Sequence, residues 1–176
     1  MEHAKTYLFV PGNAPHRFQQ AVCCSADAVI FDLEDAVHPD EKNQARENIL
    51  QWDKSDTAVS EINCKRYIRL NKFGSVEFSE DIEFLNRLDH KEKLRNNTLS
   101  KHKTARREIV LPKIESAEML HDAREMINRN RSEAIHIIAI IETAQGLHHA
   151  EEIGAAEGDD SARCADSSQK RDIFPQ

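Results

Sequence analysis

The stretch Ala26-Asp27-Ala28-Val29-Ile30-Phe31-Asp32-Leu33-Glu34-Asp35-Ala36-Val37 limits the possible folds of this chain more than any other, because an apolar run leads straight into three acidic residues. A continuous run of Val, Ile and Phe suits a strand covered on both faces, which is the strand of a parallel sheet. The acids then stand at its carboxyl end, where α/β folds gather ligands and metals. Two further segments repeat the grammar: Tyr67-Ile68-Arg69-Leu70-Asn71, and Ile135-His136-Ile137-Ile138-Ala139-Ile140-Ile141-Glu142-Thr143. Each ends in a residue capable of chemistry.

Helical patterns separate these strands. After a first strand, Thr6 to Val10, the turn Pro11-Gly12-Asn13 leads into a helix from Pro15 to Cys24 with Phe18, Ala21 and Val22 on one face. Pro39-Asp40 opens a helix to about Trp52 that carries Ala45, Ile49 and Leu50 inward. The strand ending at Asn71 leads past Phe73-Gly74 to a helix from Val76 to Leu88, with Phe78, Ile82 and Leu85 as its stripe. A fourth strand, Glu108 to Lys113, precedes a helix from Ser116 to Arg129, and the strand ending at Glu142 precedes one from Ala144 to Ala156.

About five βα units predict an α/β fold, an incomplete TIM-type (β/α) barrel, since the chain's 176 residues fall short of the roughly 250 of a complete one. Residues 1–156 form the expected partial barrel domain, with polar connections at Asp53–Cys64 and Asp89–Arg107. From Glu157 the pattern stops, so 157–176 is expected to be a polar, disordered tail without a sixth strand. Five strands cannot close a cylinder, which leaves an open edge or one covered by a partner.

The net charge of -7 and a pI near 5.7 exclude a general nucleic-acid binder, which carries a basic face. Cys23, Cys24, Cys64 and Cys164 lack the C-x-x-C spacing of a zinc site and the density of a disulfide scaffold, so reduced thiols are expected. The first strand begins too early for a leader, and no apolar run is long enough to cross a bilayer. A soluble, cytoplasmic protein is the expectation. Asn96-Asn97-Thr98 therefore reads as a chance glycosylation match.

Five segments in order carry a family resemblance: Leu8-Phe9-Val10-Pro11-Gly12-Asn13, Phe31-Asp32-Leu33-Glu34-Asp35-Ala36-Val37, Arg69-Leu70-Asn71, Leu111-Pro112-Lys113-Ile114-Glu115-Ser116 and Ile141-Glu142-Thr143-Ala144-Gln145-Gly146. Over residues 5 to 156 the chain resembles the HpcH/HpaI aldolase and citrate lyase beta subunit family, as a C-terminally truncated member. The resemblance implies a Mg2+-dependent carbon–carbon lyase acting on a 3-hydroxy-acid thioester of the citryl, malyl or citramalyl type, carried by coenzyme A or an acyl-carrier protein. It implies that Arg69 binds substrate, that Glu142 binds both Mg2+ and substrate, and that Glu34 and Asp35 line the catalytic site and help to hold metal-bound water. It implies that the first turn, Phe9 to Arg17, contacts coenzyme A. The family's second magnesium ligand is an aspartate after the next strand; Asp159, Asp160, Asp166 and Asp172 follow no apolar strand, so none takes that role.

The residue types suit the chemistry. Carbon–carbon cleavage leaves an enolate whose charge a carboxylate-held Mg2+ stabilises, and a guanidinium grips a carboxylate in a bidentate fork. Each residue also has a plainer reading. Glu142 would interact with a helix N-terminus, and Arg69 would pair with an acid on the neighbouring strand. Alternation separates Asp35 from Asp32 and Glu34 unless the backbone turns, so Asp35 would brace the loop. Lys113 neutralises the neighbouring acids rather than forming a Schiff base. His148 and His149 read as helix surface, and His136 as a hydrogen-bonded core residue. The competing classes are a non-catalytic truncated subunit, self-paired or paired with an intact homologue, and an aldolase acting on a free 2-oxo acid.

Overall fold

The computed structural model describes residues 4–53, 64–96, 107–129, 131, 134–156 and 162–166. The chain alternates strand and helix in the order β1 (Tyr7–Pro11), α1 (Phe18–Val22), β2 (Ala28–Asp32), α2 (Lys42–Trp52), β3 (Lys65–Arg69), α3 (Val76–Asn96), β4 (Arg107–Leu111), α4 (Ala117–Asn128), β5 (Ile137–Ile141), α5 (Ala144–His148), α6 (Ala150–Ala155) and β6 (Ala162–Asp166). Short 3-10 turns at Pro15–Arg17 and Pro39–Glu41 lead into α1 and α2. All strand pairs are parallel, and the sheet order is β1-β2-β3-β4-β5-β6. Because the order never reverses, there is no crevice of the doubly wound kind; the sheet grows in one direction, as the wall of a TIM-type barrel does.

Register sorts the strand residues onto two faces. Tyr7 pairs with Ala28, Phe9 with Ile30, Ile30 with Tyr67, Asp32 with Arg69, Arg69 with Val110, and Val110 with Ile138. With a period of two, these residues share the inner face. Their apolar members Ala28, Ile30, Tyr67, Val110, Ile138 and Ile140 form one buried cluster, flanked by Tyr7 and Phe9. The alternate residues, among them Val29, Phe31, Ile68, Ile109, Leu111 and Ile141, pack with Phe18, Ala45, Ile49, Leu50, Phe78, Leu85, Leu120 and Ile127 of the helices. Burial on both faces explains the unbroken apolar runs of β2 and β5.

Three expectations are corrected. A sixth strand, Ala162–Asp166, pairs with β5 in a segment without an apolar run. The open edge of β5 supplies backbone donors and acceptors, and these recruit a strand without help from side-chain pattern. Helix α3 continues past Leu88 to Asn96, because Lys91 to Arg95 are good helix formers even though the apolar stripe has ended. The expected helix from Ala144 to Ala156 is broken at His149, whose Nδ1 lies 3.0 Å from the Glu115 carbonyl oxygen. His149 is therefore a tie to the β4–α4 loop rather than helix surface. His136 precedes β5, with Nδ1 2.9 Å from Glu108 Oε2. The sequence candidates at 97–98, 159, 160 and 172 lie outside the described residues.

Candidate active site

The inner face ends, at its carboxyl rim, in charge. Asp32 is the last residue of β2 and almost fully buried. Its carboxylate accepts two bonds from Arg69 at the end of β3, from Nε at 2.8 Å and from Nη2 at 2.5 Å. It also accepts the backbone N–H of Glu34 at 2.8 Å and that of Ala36 at 3.3 Å. Asp32, unexpected in the site, is thus the counter-ion of Arg69 and the brace of the acidic loop, the role that alternation suggests for Asp35. The backbone does turn after Asp32, and the turn brings Glu34 and Asp35 to the same side.

Arg69 sits in a slot. Its guanidinium carbon lies 5.0 Å from the centre of the Phe9 ring, a cation–π contact. Its Nη1 is 3.2 Å from Glu34 Oε2. Burial works against its charge, but the acids around it outweigh burial and raise its pKa. Lys113 completes the chain of alternating charge, with Nζ 2.5 Å from Glu34 Oε1 and 3.1 Å from Asp35 Oδ1. Lys113 adopts φ 54°, the one positive φ of a non-glycine residue among the described residues. A left-handed lysine is uncommon, and such conformations cluster where side chains must be aimed. Burial pushes the Glu34 carboxyl up against the pull of Lys113 and Arg69. Asp35, largely exposed, is also pushed up by its partial burial, yet Lys113 prevails and holds it below its usual range.

Glu142 follows β5 directly. The next residue, Thr143, caps α5 by accepting the Gly146 N–H at 3.0 Å. Gly146 allows α5 to press on the β4–α4 loop, since a Cβ there would strike the Ile114 carbonyl oxygen. Glu142 Oε1 is buried and has no hydrogen-bond partner within the structure. A buried carboxylate oxygen left without a donor fits a hard cation, and Mg2+ takes one or two protein carboxylates and fills its other positions with water and substrate oxygens. Among the described residues no group of three or more His, Cys, Asp or Glu could enclose a metal ion. Asp166 ends β6 opposite Ile141.

The remaining site candidates separate. Phe9 lies on the inner face beneath Arg69, whereas Arg17 is exposed at the end of the first 3-10 turn. Sequence reasoning misses Lys42, Arg46 and Asp81, all buried beneath the acidic loop. Their signal is present in part: Lys42, Ala45, Arg46 and Ile49 share one helical face by spacing.

The profile of HpcH/HpaI aldolase/citrate lyase matches residues 5–165, a span that includes every site residue above and most of β6. The chain belongs to this family. Citrate lyase subunit beta of Leuconostoc mesenteroides subsp. cremoris is 32% identical over 158 residues, covering 86% of this chain and 46% of the relative. The L-malyl-CoA/beta-methylmalyl-CoA lyase of Cereibacter sphaeroides is 30% identical over 162 residues, covering 85% and 43%. The structure of protein CitE from Mycobacterium tuberculosis in complex with magnesium, acetoacetate and coenzyme A matches with a TM-score of 0.62 at 26% identity, over 90% of this chain and 47% of that one. This family member thus spans less than half the length of the curated relatives it matches. No helix among its described residues is long and apolar enough to cross a membrane.

Proposed function

We propose that this chain carries the strand-end part of a Mg2+-dependent carbon–carbon lyase site for a 3-hydroxy-acid thioester of the citryl-, malyl- or citramalyl-CoA type, acting in the cytoplasm. The observation that carries the reading is the unpartnered Glu142 oxygen just past the carboxyl end of β5, with the Arg69–Asp32–Glu34–Lys113 chain at the carboxyl ends of β2, β3 and β4 of the same sheet. Arg69 and Lys113 leave one negative charge uncompensated among Asp32, Glu34 and Asp35, and Glu142 adds another past the end of β5. A divalent cation at the carboxyl rim would balance them.

Glu142 would hold the metal, which when bound supplies a Lewis acid for the enolate charge that cleavage creates. Arg69, already fixed by Asp32 and Phe9, would present its outer N–H groups to the substrate carboxylate. Glu34 would take up or release a proton at its carboxylate, and Lys113 would hold the side chain in place while favouring its ionised form. Arg17, exposed at the rim, would meet the phosphates of coenzyme A, with Phe9 shaping the floor beneath Arg69. With Glu142 as the one assigned ligand, the metal would be held weakly and turnover by the chain alone would be slow. The open β1 and β6 edges would take up a second copy or an intact homologue.

Titration calorimetry of the chain with Mg2+, then with acetoacetate and coenzyme A, tests the reading. Binding of Mg2+ that Glu142→Gln abolishes is expected. Binding that survives the substitution removes Glu142 from the site. Pyruvate release from a free hydroxy-oxo acid, independent of any thioester, would replace the lyase reading with the aldolase one.

A further inference from the structure

Beneath the acidic loop lies a ring of buried polar side chains that none of the chemistry above uses. Lys42 of α2 donates to the carbonyl oxygens of Leu33 at 2.8 Å and Glu34 at 3.0 Å, and to Asn71 Oδ1 at 2.5 Å. Its three N–H groups are thereby used, all on neutral acceptors. Asn71, just past β3, donates its backbone and side-chain N–H groups to Asp81 Oδ2 at 2.7 and 2.8 Å. Asp81 of α3, with no exposed surface, accepts Arg46 Nε at 2.7 Å, and Arg46 returns the ring to α2. Arg46 also reaches Asn43, Glu80 and the Glu77 carbonyl.

Such a ring is a poor way to stabilise a fold, since well-packed apolar side chains of similar volume serve a core as well or better. What it provides is position. Two of the acceptors of Lys42 are the carbonyls on either side of the Glu34 Cα, and the third belongs to the residue that follows the Arg69 strand end by two. The ammonium therefore sets the rotation of the peptides that aim Glu34 at both Arg69 and Lys113.

We infer that Lys42 is a positioning residue for Glu34: its ammonium, held by Asn71, which Asp81 holds in turn, fixes the Leu33–Glu34 backbone so that the Glu34 carboxylate meets Arg69 and Lys113 together. The inference rests on the functional reading above for its chemical purpose, but not for its test. Removing the donors leaves three buried acceptors that can be satisfied only by turning toward water, and the loop turns with them. A displacement on the order of 1 Å at a reacting group is enough to cost about 100-fold in rate.

Amide hydrogen exchange on the full chain reads the effect directly. In Lys42→Met the amides of Glu34, Ala36 and Val37, bonded within the loop to Asp32 and to the Glu34 carbonyl, should exchange at least tenfold faster. Those of Ile109 and Ile114, bonded to β5 and the residue before it, should not change. Lys42→Gln keeps an N–H donor at shorter reach and should fall between Lys42→Met and the natural chain; it carries the test if Lys42→Met does not fold. Unchanged loop amides in these variants, or equal acceleration of loop and control amides, overturn the inference. If the natural chain binds neither Mg2+ nor acetoacetate with coenzyme A, the functional reading fails, while the exchange contrast still decides the role of Lys42.

Discussion

Replacing Asp32 by Asn isolates the interaction on which the rim most depends. The Asp32 side chain is 1% exposed and that of Arg69 is 9% exposed, so neither charge can turn to water when the other is lost. An Asn at this position keeps the shape and one acceptor oxygen, but its amide N–H group faces the donors of the guanidinium and leaves it without its main counter-ion. Breaking a buried pair from one side costs ~3–5 kcal/mol. Glu34, 3.2 Å away on Nη1, compensates in part and places the expectation at the lower end, about 3 kcal/mol. For a chain of this size, roughly 2–4 °C per kcal/mol converts that into a fall of about 6–12 °C in the unfolding midpoint. Thermal unfolding followed by near-UV circular dichroism measures it. The double variant Asp32→Leu with Arg69→Met, which removes both charges and keeps volume, should recover most of the loss. If Asp32→Asn lowers the midpoint by less than about 2 °C, the pair contributes under ~1 kcal/mol and the reasoning is wrong.

Two further outcomes are expected. Gly146→Ala drives a methyl group into the Ile114 carbonyl oxygen, and denaturant unfolding should show a loss of about 1–3 kcal/mol together with weaker Mg2+ binding, because the start of α5 sets where Glu142 stands. Asp27 Oδ2 accepts the N–H groups of Lys5 and Thr6 and the Thr6 hydroxyl, bonds that hold its carboxyl below the usual aspartate value of 3.8. A depressed folded pKa adds stability above the unfolded value and loses it as pH falls through the folded one. The stability gap between the natural chain and Asp27→Asn should therefore be present at neutral pH and vanish in strong acid; a gap that persists there refutes the assignment.

Much of the fold and of the rim is legible in the amino-acid sequence, and the parts that are not share a cause. The unbroken apolar run before Asp32 announces a strand covered on both faces, and the Ser116 cap, which accepts the Met119 N–H at 3.1 Å, stands where the helix pattern begins. Lys113 neutralises the acids, in keeping with its plainer reading. What escapes is decided by partners distant in sequence. The β6 segment has no strand pattern of its own and takes its form from the β5 edge. Asp81 lies on a helix whose spacing marks only apolar residues, and nothing local shows that Asn71 and Arg46 wait for it. Alternation carried past the strand end sets Asp35 apart as the brace of the loop; the chain leaves the strand at Asp32, whose own carboxylate bonds the turn it starts.

The slot that holds Arg69 bears on how a ligand would be recognised. Of the five N–H directions of a guanidinium, Asp32 takes two and Glu34 one, and the Phe9 ring covers one face. The side chain enters any encounter already frozen, so the roughly 2 kcal/mol of rotamer entropy that a free arginine would surrender is settled when the chain folds. Preorganisation of this kind sharpens choice as much as it strengthens grip. A planar anion arriving along the edge left open meets donors that cannot follow it, and one displaced or tilted finds no arginine able to swing out to meet it.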